Sequence, residues 1–198
     1  MKSFATETGR VEAFSDGVFA VIITIMVLEL RPPVGTDLKS LVETLPAIAT
    51  YALSFVFIGI YWNNHHHMLR ASRGVDGRAM WANLNLLFWL SLVPFSTAWL
   101  GRNPSAVGPT AFYAMVFLLD AIAYTLLVRA LLAVHEKDAP FAKAVASDLK
   151  GNVSIVLYVA AVAVAFVSPI ATDVLLLIVA VVWFVPDRRF EPLINLER

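Results

Sequence analysis

Apolar residues occur along this chain in runs long enough to cross a membrane, and short polar segments separate the runs. An α-helix needs about 20 apolar residues to cross about 30 Å of hydrocarbon. The polar segments contain prolines and glycines, which end helices or form turns. The pattern therefore predicts one all-α membrane domain over residues 1–198, with six transmembrane helices at residues 14–30, 41–62, 80–100, 110–132, 153–168 and 174–185.

The first apolar run has a charged beginning, because residues 10–16 include an arginine, two carboxylates and a serine, whereas residues 17–28 contain no ionisable group. Charges beside a membrane span mark an ion path, a proton relay or a buried structural pair. On a helical wheel, Gly17, Val21, Ile25 and Leu28 form one stripe, with Thr24 beside it. Periodicity alone leaves open whether this stripe faces lipid, a neighbouring helix or a pore.

The composition excludes an ordinary soluble domain, since 59% of the residues are hydrophobic and only 15% are charged. The absence of cysteine excludes disulfides and thiolate metal sites. The sequence contains no hydrolase nucleophile motif, no glycine-rich phosphate loop, no Thr-Val-Gly-Tyr-Gly filter and no basic block. We therefore expect neither an enzyme, nor a cofactor, nor a nucleic-acid partner.

The positive charges are distributed unevenly between the two sides of the predicted bundle. If the N-terminus is inside, the inner segments hold 12 of the 15 lysines and arginines, and the outer ones hold only Arg31, Lys39 and Arg102. Cytoplasmic loops of membrane proteins are enriched in these residues, so both termini and the connection 70–78 are predicted to be cytoplasmic. The charged segment 134–150 is predicted to form an amphipathic helix at the membrane surface.

Three consecutive histidines, at positions 65–67, follow the second span. Consecutive helical residues point about 100° apart, so three in a row cannot face one ion, and we do not expect a metal site. Their predicted depth matches that of Asp16, so we expect a histidine to hydrogen-bond to this carboxylate. The alternative, in which each side chain meets headgroups or water, stays open. The predicted polar network, which would join the first three spans, comprises Arg10, Ser15, Asp16, His65, His66 and Asn83.

Asp120 lies near the middle of the fourth span, where exposure to lipid would cost several kcal/mol. We therefore expect its carboxyl group to be buried and paired. Together with Asp16 and the His65–His67 run, it permits an alternative function, a proton- or ion-coupled secondary transporter. Such carriers often contain inverted repeats and broken helices, and the sequence pattern indicates neither.

Three motifs resemble one known family. They are R-x-x-x-F-S-D at residues 10–16, Tyr61-Trp62-x-x-His65-His66, and the stretch from Asn85 to Pro94-Phe95. They are similar to the first three helices of the prokaryotic transmembrane protein 175 family, whose members are potassium channels. The resemblance implies a homotetramer of six-span subunits in a prokaryotic plasma membrane, without a re-entrant filter loop and with potassium as the permeant ion.

In this family the first helix of each subunit lines a central pore, and apolar rings on that helix act as gate and selectivity element. Carried over by position from the F-S-D motif, the rings fall on Val21, Ile25 and Leu28, and Thr24 provides a hydroxyl near the constriction. Val21 stands where isoleucine or leucine is common. The resemblance therefore implies a slightly wider or leakier gate in this chain.

Overall fold

The computed structural model describes residues 4–72, 74–134 and 149–184, and every regular element in these ranges is a helix. The predicted surface helix over 134–150 lies mostly outside these ranges. Several of the lysines and arginines counted above also lie outside them. In chain order, the helices are α1 Phe4–Leu28, α2 Leu38–Ala71, α3 Gly77–Leu90, α4 Val93–Arg102, α5 Val107–Leu132, α6 Leu149–Ala165 and α7 Pro169–Phe184.

Four stretches are long and apolar enough to cross a membrane: Thr8–Leu28, Leu38–Ala71, Gly77–Arg102 and Val107–Leu132. They overlap the first four predicted spans. The α6 and α7 helices are apolar but shorter, with 17 and 16 residues. The all-helical membrane architecture predicted from the sequence is therefore confirmed, while the crossing of the bilayer by α6 and α7 stays a prediction.

The second span differs from its predicted end. The α2 helix contains 34 residues and continues past Trp62 to Ala71, so the histidine run lies within the helix rather than after it. At 1.5 Å per residue this helix is roughly 50 Å long, which exceeds the hydrocarbon thickness. The Asp37 side chain caps its first turn by accepting a hydrogen bond of 3.1 Å from the Ser40 amide.

The third span, predicted as one helix over residues 80–100, consists of two helices. α3 ends at Leu90 and α4 begins at Val93, with Ser91 and Leu92 between them. Pro94 occupies the first turn of α4. Because proline lacks an amide proton and clashes with the carbonyl of the preceding turn, it is favourable in the first turn of a helix and costly in the interior.

The α5 helix forms the centre of the bundle and packs against α3, α4, α6 and α7. Aromatic rings fill the space around it: Phe57 of α2 lies 4.4 Å from Phe117 of α5, centroid to centroid. The α1 helix lies at the edge, where it contacts α2, α4 and, less extensively, α3. This peripheral position leaves one face of α1 uncovered in the single chain.

Candidate functional site

The α1 helix has two distinct faces. Phe19, Ile22 and Met26 are buried, with 1%, 3% and 1% of their surface exposed. Val21 and Ile25 are 54% and 44% exposed, although both are strongly apolar. The exposed positions, with Gly17 and Leu28, form the stripe that the sequence pattern predicts. An uncovered apolar stripe on a membrane helix has to meet lipid or protein outside the single chain.

An open apolar groove runs beside this stripe. It has a volume of about 1190 Å³ and lies between α1 and the broken third span. Val21, Ile25 and Gly17 line its α1 side, and Phe95 and Trp99 line its α4 side. The break before α4 therefore positions two large aromatic side chains opposite the exposed face of α1.

Thr24 lies at the edge of the stripe and is exposed. Its hydroxyl is within hydrogen-bonding distance of two backbone carbonyl oxygens of its own helix, at 3.0 Å from Ala20 and 2.9 Å from Val21. Donation to these carbonyls uses the hydroxyl proton and leaves the oxygen lone pairs as acceptors. Thr24 therefore presents an oxygen, and not a proton, to whatever faces this side of α1.

A buried chain of three polar side chains fixes the opposite face of α1. Asn83 of α3 donates from Nδ2 to Ser15 Oγ at 3.0 Å, and His65 of α2 lies 2.7 Å from Asn83 Oδ1 through its Nε2 atom. Because a carbonyl oxygen can only accept, this contact requires the proton on His65 Nε2. Ser15 and His65 are fully buried, and Asn83 is 2% exposed. These bonds join α1, α2 and α3 at one level.

Asp16 and His66 lie close to this chain but have other partners. Trp62 Nε1 donates to Asp16 Oδ1 at 2.9 Å. His66 Nδ1 lies 2.8 Å from Glu12 Oε1, without the alignment of a hydrogen bond. The described partner of Asp16 is therefore an indole, and not the histidine that the sequence analysis expects. An indole N–H occupies that place because Trp62 lies one helical turn before His66 on the side of α2 that faces α1.

Three other predicted side chains have different surroundings. Arg10 is exposed and lines a groove beside Met80 and Asn83, and no hydrogen bond or ion pair is described for it. Asp120 is fully buried, as expected, but among the described residues neither of its carboxyl oxygens has a hydrogen-bond partner. The pairing predicted for Asp120 is therefore not found among the described residues. In the same ranges, no three His, Cys, Asp or Glu side chains group closely enough to hold a metal ion.

The predicted polar network omitted four residues that make side-chain contacts, namely Glu12, Trp62, Glu29 and Arg102. Arg102 Nη2 lies 2.7 Å from Glu29 Oε2 at the end of α1 opposite its N-terminus. These two residues are 73 positions apart, so no local pattern indicates their contact. For Glu12 and Trp62 a signal existed, because Glu12 and Asp16 are four residues apart, as are Trp62 and His66.

Comparison with known proteins agrees with this arrangement. Residues 10–94 match the family model described as endosomal/lysosomal potassium channel TMEM175. The chain is 44% identical over 183 residues to a potassium channel of Chryseobacterium sp. (strain P1-3), with 92% of this chain and 95% of that protein covered. The chain belongs to the TMEM175 family.

Other members of the TMEM175 family are also similar. A potassium channel of Streptomyces collinus is 37% identical over 126 residues, which cover 60% of this chain and 61% of that protein. The crystal structure of a lysosomal potassium-selective TMEM175 homolog from Chamaesiphon minutus superposes with a TM-score of 0.79 at 30% identity. The superposition covers 92% of this chain and 98% of the homolog.

Proposed function

We propose that this protein is a subunit of a potassium channel, and not an enzyme, in which α1 of each subunit lines the conduction path. The observation that carries the proposal is the division of α1 into a buried face and an exposed apolar stripe. The names of its relatives, which are potassium channels, support the choice of ion. We propose Val21, Ile25 and Leu28 as the gate and selectivity residues.

A pore lined by this stripe requires several copies of the chain, because the stripe lies on the outside of one subunit. Closed symmetric assemblies place the same residue of each copy in a ring around one axis. We propose a homotetramer, so that each stripe residue contributes four side chains to a ring. The apolar groove between α1 and α4 offers a neighbouring α1 a surface to pack against.

Apolar rings discriminate between ions through dehydration. A narrow apolar constriction excludes water, so an ion has to lose part of its hydration shell to pass. Potassium loses water at a lower cost than sodium, which favours potassium without dedicated ligands. The Thr24 oxygens, which retain free lone pairs, compensate part of the lost hydration. The smaller Val21 widens its ring and weakens this selection.

The buried Ser15–Asn83–His65 chain serves a structural or gating role, because it holds the non-stripe face of α1 against α2 and α3. Arg10, Asp16 and His66 accompany it at the same end of α1. We place this end on the cytoplasmic side of a prokaryotic plasma membrane, with six spans and both termini inside, on the basis of the charge distribution.

The competing function is a secondary transporter, and single-channel currents distinguish a transporter from a channel. We would reconstitute the purified protein into planar bilayers and record single channels in potassium and then in sodium. The proposal predicts discrete, ohmic currents that are larger in potassium. Flux that saturates and requires a proton gradient would instead support a coupled carrier.

A further inference from the structure

Glu29 stands at the end of the stripe that begins with Gly17. It follows the last residue of α1, and its amide still bonds to the Met26 carbonyl oxygen at 3.3 Å, so the backbone continues its turn. It comes four residues after Ile25, which places both residues on nearly the same side of the helix. Glu29 also lines the same groove as Val21 and Ile25. A carboxylate therefore lies at one mouth of the path proposed above.

The Glu29 carboxylate is paired with Arg102, the last residue of α4, at 2.7 Å. The side chains of Glu29 and Arg102 are 42% and 48% exposed. An ion pair with this much solvent contact adds little to folding stability. A carboxylate after the C-terminus of a helix is, in addition, placed unfavourably in the field of the helix dipole. Fold stability alone therefore gives a weak reason for a glutamate here, whereas its charge at the mouth gives a stronger one.

Two further charges lie close by. Arg31 and Glu43 line a second cavity, of about 310 Å³, together with Glu29 and Arg102. The two carboxylates (−2) and the two guanidinium groups (+2) sum to zero around this cavity. Removal of either arginine changes the sum to −1 per subunit, but only Arg102 is described in an ion pair with Glu29.

We infer that Arg102 is a specificity determinant that neutralises Glu29 at this mouth and so keeps divalent cations from gathering there. The inference rests on the proposed function, because it requires Glu29 to face the conduction path. Rings of unpaired carboxylates attract cations into a pore, and carboxylate oxygens are preferred ligands of Ca²⁺. With each Glu29 paired, the mouth passes monovalent ions without a divalent site.

The test is single-channel recording of Arg102→Gln in potassium at about 20 mM, where charges act over roughly 20 Å, and again at about 1 M. At low salt the conductance should rise by about twofold or more, because unpaired carboxylates raise the local potassium concentration. At high salt the gain should vanish. Ca²⁺ added to the side opposite the N-terminus should block Arg102→Gln and leave the wild type unaffected.

Three control variants assign the effect to this ion pair. The double variant Arg102→Gln/Glu29→Gln should lose both the conductance gain and the Ca²⁺ block. Arg102→Lys should resemble the wild type, because the positive charge stays. Arg31→Gln, which changes the net charge equally, should produce a clearly smaller change than Arg102→Gln, because the Glu29–Arg102 pair stays intact.

Several results would overturn the inference. The inference is wrong if Arg102→Gln has the conductance of the wild type and is not blocked by Ca²⁺. It is also wrong if the conductance gain and the Ca²⁺ block persist in the double variant, or if Arg31→Gln reproduces both in full. If Arg102→Gln fails to fold, Glu29→Gln takes its place. That variant leaves an unpaired guanidinium and should lower the low-salt conductance, so an unchanged conductance refutes the inference.

Ile25→Asn, recorded in parallel, separates this inference from the proposed function. If Ile25→Asn alters the potassium–sodium selectivity while Arg102→Gln has the conductance and Ca²⁺ response of the wild type, only the role of Arg102 is rejected. If neither variant differs from the wild type, the assignment of α1 to the pore is rejected as well.

Discussion

His65 Nε2 lies 2.7 Å from Asn83 Oδ1, and the Asn83 amide nitrogen in turn donates to Ser15 Oγ, so one asparagine connects three helices. Asn83→Ala removes both hydrogen bonds and leaves a buried imidazole N–H without an acceptor. An unsatisfied buried donor costs about 1 kcal/mol or more, and hydrogen bonds between membrane helices contribute a similar or smaller amount. We expect a lower melting temperature and weaker assembly, measured by thermal unfolding and size-exclusion chromatography in detergent.

Asn85→Ala is the matched control for this prediction. Asn85 lies on the same helix, is only partly buried, and has no hydrogen bond described for its side chain. Its removal should leave stability close to that of the wild type. Equal losses of melting temperature and assembly in Asn83→Ala and Asn85→Ala would show that the effect is general to α3 and does not come from the two hydrogen bonds of Asn83.

The contact between Asp16 and Trp62 predicts a change in gating or assembly without a change in ion selectivity. Asp16 lies roughly 140° round α1 from Val21, at about 100° per residue, and is therefore off the stripe. Asp16→Ala and Trp62→Phe each remove the 2.9 Å hydrogen bond and should alter open probability or assembly to a similar extent. The double variant should add little, because the two changes remove one shared contact.

The potassium–sodium permeability ratio provides the readout for Asp16. Asp16→Asn retains an acceptor oxygen for Trp62 and should therefore be milder than Asp16→Ala. Reversal potentials should match the wild type in each variant. A well-folded Asp16 variant with a shifted ratio would place this carboxylate in the conduction path and contradict the account.

Substitutions at two buried polar residues, Asp120 and Ser54, should have opposite effects on the free energy of unfolding. Asp120 is fully buried, and its carboxyl oxygens have no partner among the described residues, whereas Ser54 Oγ contacts the hydroxyls of Thr97 and Tyr113 at 2.7 and 2.8 Å. Asp120→Asn removes an ionisable group at constant shape, so the free energy of unfolding should stay unchanged or rise. Ser54→Ala leaves two hydroxyls without their shared partner and should lower the free energy of unfolding by about 1 kcal/mol.

Denaturation of both variants in detergent micelles measures these differences. Marked destabilisation by Asp120→Asn would show that the carboxyl group has a partner beyond the described residues. In that case the carrier hypothesis, which uses Asp120, would regain support.

The orientation of the chain is tested by single cysteines, which the natural sequence lacks. Thr36→Cys and Ser105→Cys lie in connections predicted to be outside, and Gly74→Cys lies in a connection predicted to be cytoplasmic. An impermeant thiol reagent applied to intact cells should label the first two only. Labelling at position 74 would reverse the topology.

The sequence alone was sufficient to predict the helical membrane fold, the first four candidate spans and the positions that share a stripe on α1. These features depend on the lengths of the apolar runs and on helical geometry. Which side of α1 is buried could not be predicted, because both sides of this helix are apolar. The break at Ser91 and Leu92 also has a local cause, because Pro94 favours a helix start. The break was not predicted, because the apolar run continues through it.

Contacts between helices could not be predicted in the same way. Residues at the same membrane depth meet only if both helices are rotated toward each other, and the sequence does not specify that rotation. For this reason Asp16 contacts Trp62 where a histidine was expected, and Asp120 has no hydrogen-bond partner within the described part of the chain. The Glu29–Arg102 pair depends on the relative positions of α1 and α4, which only the folded chain defines.

The central claim is that the exposed stripe of α1 lines the pore, and Ile25→Asn tests it most directly. Ile25 is 44% exposed on this stripe, and an asparagine there would place an amide from every subunit around the axis. The amides would hydrate the constriction and offer ligands to any cation. Met26→Asn, at the adjacent and buried position with 1% exposure, is the control and should disturb packing instead.

The decisive measurement is the potassium–sodium permeability ratio and the potassium conductance of folded Ile25→Asn in planar bilayers. The account predicts a larger potassium conductance and a permeability ratio that falls toward unity, because ions no longer need to dehydrate. A folded Ile25→Asn channel whose potassium and sodium currents equal those of the wild type would contradict the account, because α1 would then not line the pore.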